Sequence, residues 1–284
     1  MNNAALNKKP AWLRKQLGFG ATAKLKAELR GKNLHTVCES AKCPNIGECF
    51  SRKTATFLIL GNACTRTCTF CAVDKGKAAP LDPHEPENVA RMIKEMALRY
   101  VVITSVTRDD LPDGGAAHYV AVMRAVRREN PGVLIELLIP DFSGNWDALN
   151  MVLGERPDVL NHNVETVPAL YPRVRPGADF GMSLEVLRRA AGCGLAAKSG
   201  IMVGLGETEE ELVAAFAALK EAGVRILTLG QYLAPSRNHA PVARYYEEEF
   251  YERLSRAARA AGIEKVFAGP FVRSSYMAEE VGAL

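Results

Sequence analysis

The sequence predicts an α/β protein built as a partial parallel barrel of six strand–helix units, and three observations predict it. From Thr56 onward, short apolar runs of strand length alternate with longer stretches of helical period. Turn residues bound most of these runs. The chain has 284 residues; with an irregular first stretch set aside, about 210 remain, fewer than the ~250 of a closed eight-strand barrel.

In chain order, residues 1–53 read as an N-terminal extension with one short helix at Ala21–Leu29. Residues 54–265 carry the alternation. Strands are expected at Thr56–Leu60, Tyr100–Thr104, Leu134–Ile139, Val159–Val164, Lys198–Val203 and Ile226–Leu229. Helices are expected at Glu85–Arg99, Ala116–Glu129, Trp146–Leu153, Ser183–Ala191, Glu209–Ala222 and Tyr245–Ala261. Thr208 followed by Glu211 is a capping box and fixes the start of the fifth helix. Such alternation with right-handed crossovers curls a parallel sheet into a TIM-like partial barrel. Residues 266–284 lack periodicity and read as a C-terminal tail.

Composition excludes several classes. No apolar run approaches the ~20 residues of a membrane span. The basic N-terminus (Lys8, Lys9, Arg14, Lys15) is followed by no apolar block, so it does not read as a secretory signal. No serine precedes Ser40, which argues against a transit peptide. A cytoplasmic protein is expected. The net charge of +4 comes from Lys and Arg spread along the chain. It suits an acidic protein partner better than nucleic acid.

The seven cysteines fall into two triplets, at 38, 43, 49 and 64, 68, 71, with Cys193 apart. In a chain without a secretion signal, such clusters argue for metal or cluster sites, not disulfides. The second triplet, C-x3-C-x2-C, follows a buried strand and a Gly61-Asn62 turn. Structural zinc takes four protein ligands; a four-iron cluster also has four corners, and three cysteines leave one open. Taken alone, Cys38, Cys43 and Cys49 suit zinc with His35 as fourth ligand as well as they suit a second cluster. Cys193, at a helix end, reads as a buried structural thiol.

Polar residues interrupt the expected strands: Glu136, then Asn161, Asn163 and Glu165 at alternate positions on one face, and Lys198. Burying them unpaired would cost roughly 2–7 kcal/mol each. They must form a satisfied network or line a ligand pocket at the carboxyl ends of the strands. Gly114 and Gly115 after the second strand allow a ligand close to backbone.

The stretch ATFLILGNACTRTCTFCAVDKG resembles the radical S-adenosylmethionine (SAM) enzymes. With CESAKCPNIGECF before it, and VVITSVTRDDLPDGGAAH, NHNVETV, YPRVRPGADF, KSGIMVGLGET, LTLGQYLAPS and GPFVRSSYMAEE after it, the chain closely resembles the lipoyl synthase family along nearly its whole length. The resemblance implies two 4Fe–4S clusters. Cys64, Cys68 and Cys71 would hold the one whose open iron binds SAM. Cys38, Cys43, Cys49 and Ser275 of Arg273-Ser274-Ser275-Tyr276 would hold an auxiliary one that donates sulfur, with Arg273 steering its loss. A serine alkoxide is a poor ligand for a soft iron–sulfide centre, so that corner is shed readily.

The implied reaction inserts sulfur at carbons 6 and 8 of an octanoyl chain on a carrier-protein lysine. The implied partners are an octanoylated lipoyl carrier domain or glycine-cleavage carrier protein, a low-potential electron donor and a sulfur carrier that repairs the cluster. Phe70 is expected against adenine or cluster. Gly114, Gly115, Asn163, Glu165, Arg175 and Lys198 are expected to contact SAM, Glu165 at the ribose and Arg175 or Lys198 at the carboxylate. Rival readings are a zinc-stabilised binding module and another sulfur-inserting radical SAM enzyme such as biotin synthase, which lacks the C-x4-C-x5-C triplet.

Overall fold

The computed structural model describes residues 9–13, 26–41, 43–51 and 56–275. Most of the helix expected at Ala21–Leu29 lies outside them, as does the chain from Tyr276 onward. Residues 26–31 are helical. The described residues form two compact units. One holds 26–66, 72–160 and 275; the other holds 9–13, 67–71 and 161–274.

In the first unit a two-residue strand, His35–Thr36, pairs antiparallel with β1 (Thr56–Ile59), so the extension is stitched directly to the first barrel strand. Strand β1 runs parallel to β2 (Tyr100–Ser105), and β2 parallel to β3 (Leu134–Leu138). Strand β4 (Val159–Asn161) begins beside β3, where the Asp158 amide donates to Ile135 O at 3.0 Å. Every residue of β1 is buried, as the covering helices of a parallel sheet require. Those helices are α1 (Glu85–Met96), α2 (Ala116–Glu129) and α3 (Trp146–Gly154). Their buried faces supply Val89, Ile93, Val122, Met123, Leu149 and Val152. Helix α1 stops short of the expected Arg99 because Ala97 turns left-handed at φ 52°, with its amide on Lys94 O.

The second unit contains the parallel strands β5 (Ala196–Val203), β6 (Ile226–Gln231) and β7 (Lys265–Gly269). Its helices are α4 (Phe180–Gly192), α5 (Glu209–Glu221) and α6 (Glu248–Ala260). Ile201, Val203, Leu212, Phe216, Leu227, Leu229, Leu254 and Val266 meet in one core. Strand β7 corrects the expectation of a tail from residue 266. Its five residues are a short run, but they pair in register with Ile226–Gly230. Helix α4 starts three residues earlier than expected because the Asp179 carboxylate accepts from the Met182 amide at 2.7 Å. Helix α6 starts later, at Glu248: Tyr246 is held outside it, its amide donating to Gln231 Oε1 at 2.9 Å and its ring stacked on Phe250.

The capping box of α5 forms as the sequence requires. Thr208 Oγ1 accepts from the Glu211 amide at 3.2 Å and Glu211 Oε2 accepts from the Thr208 amide at 2.8 Å. Thr208→Ala is therefore expected to lower unfolding free energy by about 1 kcal/mol without changing cooperativity, as read by denaturant titration. No helix among the described residues is long and apolar enough to cross a membrane.

Candidate functional site

The first cysteine triplet is organised by two short helices. Thr36 caps the helix Val37–Ser40, its Oγ1 accepting from the Glu39 amide at 3.3 Å, and this places Cys38 in the first turn. The Cys43 amide donates back to Cys38 O at 3.0 Å. Cys49 lies in the helix Ile46–Ser51, its amide on Asn45 O at 2.9 Å. Cys38 is buried, and Cys43 and Cys49 are half-buried. Burial pushes the Cys38 thiol up to about 12; the nearby Cys43 and Cys49 thiols push the same way, and hydrogen bonds with Thr56 oppose them. Thr56 Oγ1 also donates to Ser275 Oγ at 2.8 Å, across 219 residues of sequence. Cys38 and Ser275 thus meet at the first residue of β1, with the Cys43 and Cys49 thiols near Cys38. Among the described residues no three His, Cys, Asp or Glu side chains form a shell for a single metal ion. A cluster spreads its ligands over separate corners and needs no such shell.

The second triplet lies on the loop after β1, and that loop is anchored at several points. Leu60, at the exit of β1, is left-handed at φ 67°. Its amide donates to Glu85 Oε2 at 2.9 Å and its carbonyl accepts from Arg108 Nη1 at 3.1 Å. His118 Nε2 lies 2.6 Å from the same Glu85 oxygen, and both side chains are buried. A side chain on Gly115, itself at φ 90°, would strike Leu60 Cδ1 at 2.4 Å. Gly115 thus lets the turn before α2 pack against the strained exit of β1, while a side chain on Gly114 would meet Phe142 Cδ1 at 2.9 Å. Their amides are engaged within that turn, Gly115 on Asp113 Oδ1 and Gly114 on Leu111 O.

Beyond Leu60, the Thr107 amide donates to Cys64 Sγ at 3.4 Å and the Gly76 amide to Cys64 O at 3.0 Å. Arg66, inside the C-x3-C spacing, forks onto two carboxylates. Nε and Nη2 donate to Asp109 at 2.9 and 3.0 Å, and Nη1 and Nη2 donate to Asp141 at 2.8 and 2.6 Å. Ser143 Oγ accepts from Arg66 Nη2 at 3.0 Å and donates to Asp109 Oδ1 at 2.8 Å. Burial lowers the Arg66 pKa, but its hydrogen bonds to Asp141 and Asp109 outweigh it and hold the guanidinium firmly charged. The segment presenting Asp141 and Ser143 is itself strained, with Phe142 and Ser143 at φ 48° and 53°.

Within the second unit, Cys68 and Cys71 sit on a tight turn closed by the Cys71 amide on Cys68 O at 3.3 Å. Thr69 ties that turn to Val174 O, and His239 Nε2 lies 3.2 Å from Cys71 O. Phe70 packs against Val174, Leu205, Tyr232 and Val242, an ordinary apolar cluster.

The other expected site residues divide. Lys198 is 1 % exposed, on β5, and Glu136 is fully buried with Tyr100 Oη donating to it at 2.6 Å. Asn161 Nδ2 donates to Ser274 Oγ at 2.7 Å, and that hydroxyl donates to Asn163 Oδ1 at 2.9 Å. The expected alternation through Glu165 is corrected. Strand β4 ends at Asn161, and Glu165 is left-handed at φ 66°, bridged to Ile201. Burial raises the Glu165 carboxyl pKa, and Arg175 and Asn163 pull it back. Arg175 is buried; its Nη1 donates to Asn163 O at 3.1 Å and Tyr171 Oη at 2.9 Å, holding the bend after β4. Arg273 Nη1 folds back onto Val272 O at 2.6 Å. Cys193, expected to be buried, is exposed at the C-cap of α4 beyond Gly192.

The radical SAM superfamily model matches residues 58–219, and the model of the N-terminal domain of lipoyl synthase of the radical SAM family matches 1–43. Lipoyl synthase of Rubrobacter xylanophilus is 54% identical over 275 residues, covering 96% of this chain and 86% of that protein. Lipoyl synthase of Chlorobaculum tepidum is 53% identical over 280 residues, covering 98% and 97%. The chain belongs to the lipoyl synthase family.

The fold of this lipoyl synthase recurs in distant solved structures. Methylornithine synthase aligns at TM-score 0.54 and 14% identity, over 90% of this chain and 83% of its own. Streptococcus suis SuiB bound to S-adenosylmethionine aligns at 0.59 and 10%, over 79% and 53%. At such identities the likeness concerns the fold, a mostly parallel sheet with helices between its strands. For a lipoyl synthase the donor chemistry is apt: thiols suit iron–sulfur centres. Sequence reasoning missed Thr56, Glu85, Arg108, His118, Arg66, Asp109, Asp141 and Ser143. The only written trace of the Arg66 clamp is the acidic pair Asp109-Asp110 after β2 and Asp141 after β3.

Proposed function

We propose that in this radical SAM lipoyl synthase Cys64, Cys68 and Cys71 hold the SAM-binding cluster, and Cys38, Cys43, Cys49 and Ser275 hold the auxiliary 4Fe–4S cluster. The enzyme is a sulfurtransferase that converts protein-bound N6-octanoyl-lysine to lipoyl-lysine by sulfur insertion at C6 and C8. When bound, one cluster would supply an electron to SAM and the other would supply sulfur. The contact that supports the second assignment best is Thr56 Oγ1 to Ser275 Oγ, which brings the terminal serine to the strand residue that also bonds Cys38.

The remaining residues bind and orient. Lys198, with Asn163 and Glu165, faces SAM, Lys198 meeting its carboxylate. Arg175 shapes the bend that carries Asn163 and Glu165, and Gly114 and Gly115 bring backbone close to the methionine end. Arg273, two residues before Ser275, would lie close to the auxiliary cluster. The octanoyl chain arrives on a lipoyl carrier domain or the glycine-cleavage carrier protein. A low-potential donor supplies electrons, a sulfur carrier restores the auxiliary cluster, and the reaction takes place in the cytoplasm.

The test pairs turnover with binding. Cluster-loaded protein is expected to convert an octanoyl-lysine peptide to its lipoyl form and consume two SAM molecules per product; zinc in place of iron with no turnover would sink the proposal. On the same preparation, Lys198→Ala is expected to weaken SAM binding at least about tenfold in an equilibrium titration, the loss of a hydrogen bond to a charged group. Unchanged affinity removes Lys198 from the site.

A further inference from the structure

We infer that Thr56 is a positioning residue for the terminal segment: its hydroxyl holds Ser275 whenever the serine oxygen is not bound to iron. The inference deepens the auxiliary-site reading above and rests on it for its purpose, though not for its geometry. Thr56 is 4% exposed, the first residue of β1, and its Oγ1 donates to Ser275 Oγ at 2.8 Å. A buried hydroxyl needs such a partner, since leaving it unpaired carries the full cost of its desolvation. In the extended backbone of β1 its side-chain direction is set by the strand, and that strand is fixed on both edges, to His35–Thr36 and to β2. The donor is therefore fixed by the sheet.

Ser275 lies in a turn, outside any strand or helix. The residues before it turn tightly, the Val272 amide on Gly269 O at 3.1 Å, and Ser274 is hydrogen-bonded to Asn161 and Asn163. A serine that leaves iron needs somewhere to go that keeps it within reach of the same iron site. A neutral hydroxyl accepting one hydrogen bond from Thr56 meets that need: it is held next to Cys38, without the negative charge an iron ligand carries. The contact is weak enough to be given up when iron returns, since one neutral hydrogen bond amounts to about a fivefold bias in the equilibrium. A carboxylate or lysine at position 56 would hold the serine too firmly or carry a buried charge. Valine, of nearly the same shape, would not hold it at all.

Cleavage by chymotrypsin after Tyr276, followed by mass spectrometry of the released C-terminal peptide, reads how firmly Ser275 is held, because cleavage follows the opened population. In the full-length chain freed of metal, Thr56→Val is expected to speed this cleavage about fivefold. Ser275→Ala should match it, the double variant should add nothing further, and Thr56→Ser should restore the slow rate. In cluster-loaded protein, wild type and Thr56→Val should be protected alike, because iron then holds the serine. Equal rates for wild type and Thr56→Val in metal-free protein would overturn the inference, as would failure of Thr56→Ser to restore protection. Loaded wild type no better protected than metal-free protein would instead overturn Ser275 as a ligand, and with it the purpose of the catch.

Discussion

Replacing Cys38, Cys43 and Cys49 together by alanine is expected to halve the iron and sulfide of anaerobically prepared protein, from about eight of each per chain to about four. Sulfur insertion should fall below detection while reductive cleavage of SAM persists. The separation follows from where the thiols sit. Cys38 and Cys49 lie in two short helices of the extension and Cys43 in the connection between them, held by the Thr36 cap and by backbone bonds that alanine keeps. Only Cys38 is buried, so the fold loses little. Cluster binding must deprotonate that thiol against the burial that raises its pKa, so loading releases protons and weakens as pH falls. An iron content that stayed near eight, or SAM cleavage lost along with sulfur insertion, would refute the division of labour between the triplets.

Arg66→Gln is expected to be the most damaging single change outside the cysteines. It leaves Asp109 and Asp141 facing each other without their shared cation. Removing one partner of a buried pair costs about 3–5 kcal/mol, and here the low end applies because Asp109 keeps 34% of its side chain exposed. The loop that carries Cys64 is then untied from the segments after β2 and β3. Urea unfolding should show the loss in midpoint without a change in slope. Arg66→Lys should recover little, since a point charge cannot fork onto two carboxylates and a hydroxyl. Asp141→Asn in the Arg66→Gln background should recover part of the loss by removing one unpaired charge. The clamp also sets an acid limit. Although burial opposes it, Arg66 holds the Asp109 carboxyl below its ordinary value, so this stability is fully present above the unfolded carboxylate pKa. It is lost as pH falls through the depressed one. The variant should lack that acid-dependent loss; an unchanged acid profile would argue against the clamp.

The barrel elements were legible because buried parallel strands are written as apolar runs and their helices as periodic ones, and α2 matches its expected bounds residue for residue. What failed did so for local backbone reasons. The period-two reading of Asn161, Asn163 and Glu165 assumed extended backbone, and the left-handed turn at Glu165 breaks it. Strand β7 has only Val266, Phe267 and Ala268 as apolar signal, too short a run to tell from a tail. Cys193 looked buried by residue type, but the helix ends just before it on a glycine. The cysteine triplets were legible because their ligands are close in sequence. The Arg66 clamp was not, since its partners lie 43 and 75 residues away and nothing in one sequence pairs a particular arginine with two particular aspartates.

The span between Thr56 and Ser275 also has a bearing on how the chain is made. The three thiols proposed for the auxiliary site belong to the first fifty residues and reach their places through contacts local to the extension and β1. The hydroxyl proposed to complete the set, on Ser275, is 219 positions from Thr56. Domains emerge and begin to fold from the N-terminus during synthesis, and contacts of such long separation close last. A nascent or prematurely ended chain therefore displays an open three-thiol site. On the proposed ligand set, the fourth donor becomes available only once Ser275 has been made, 219 positions after Thr56.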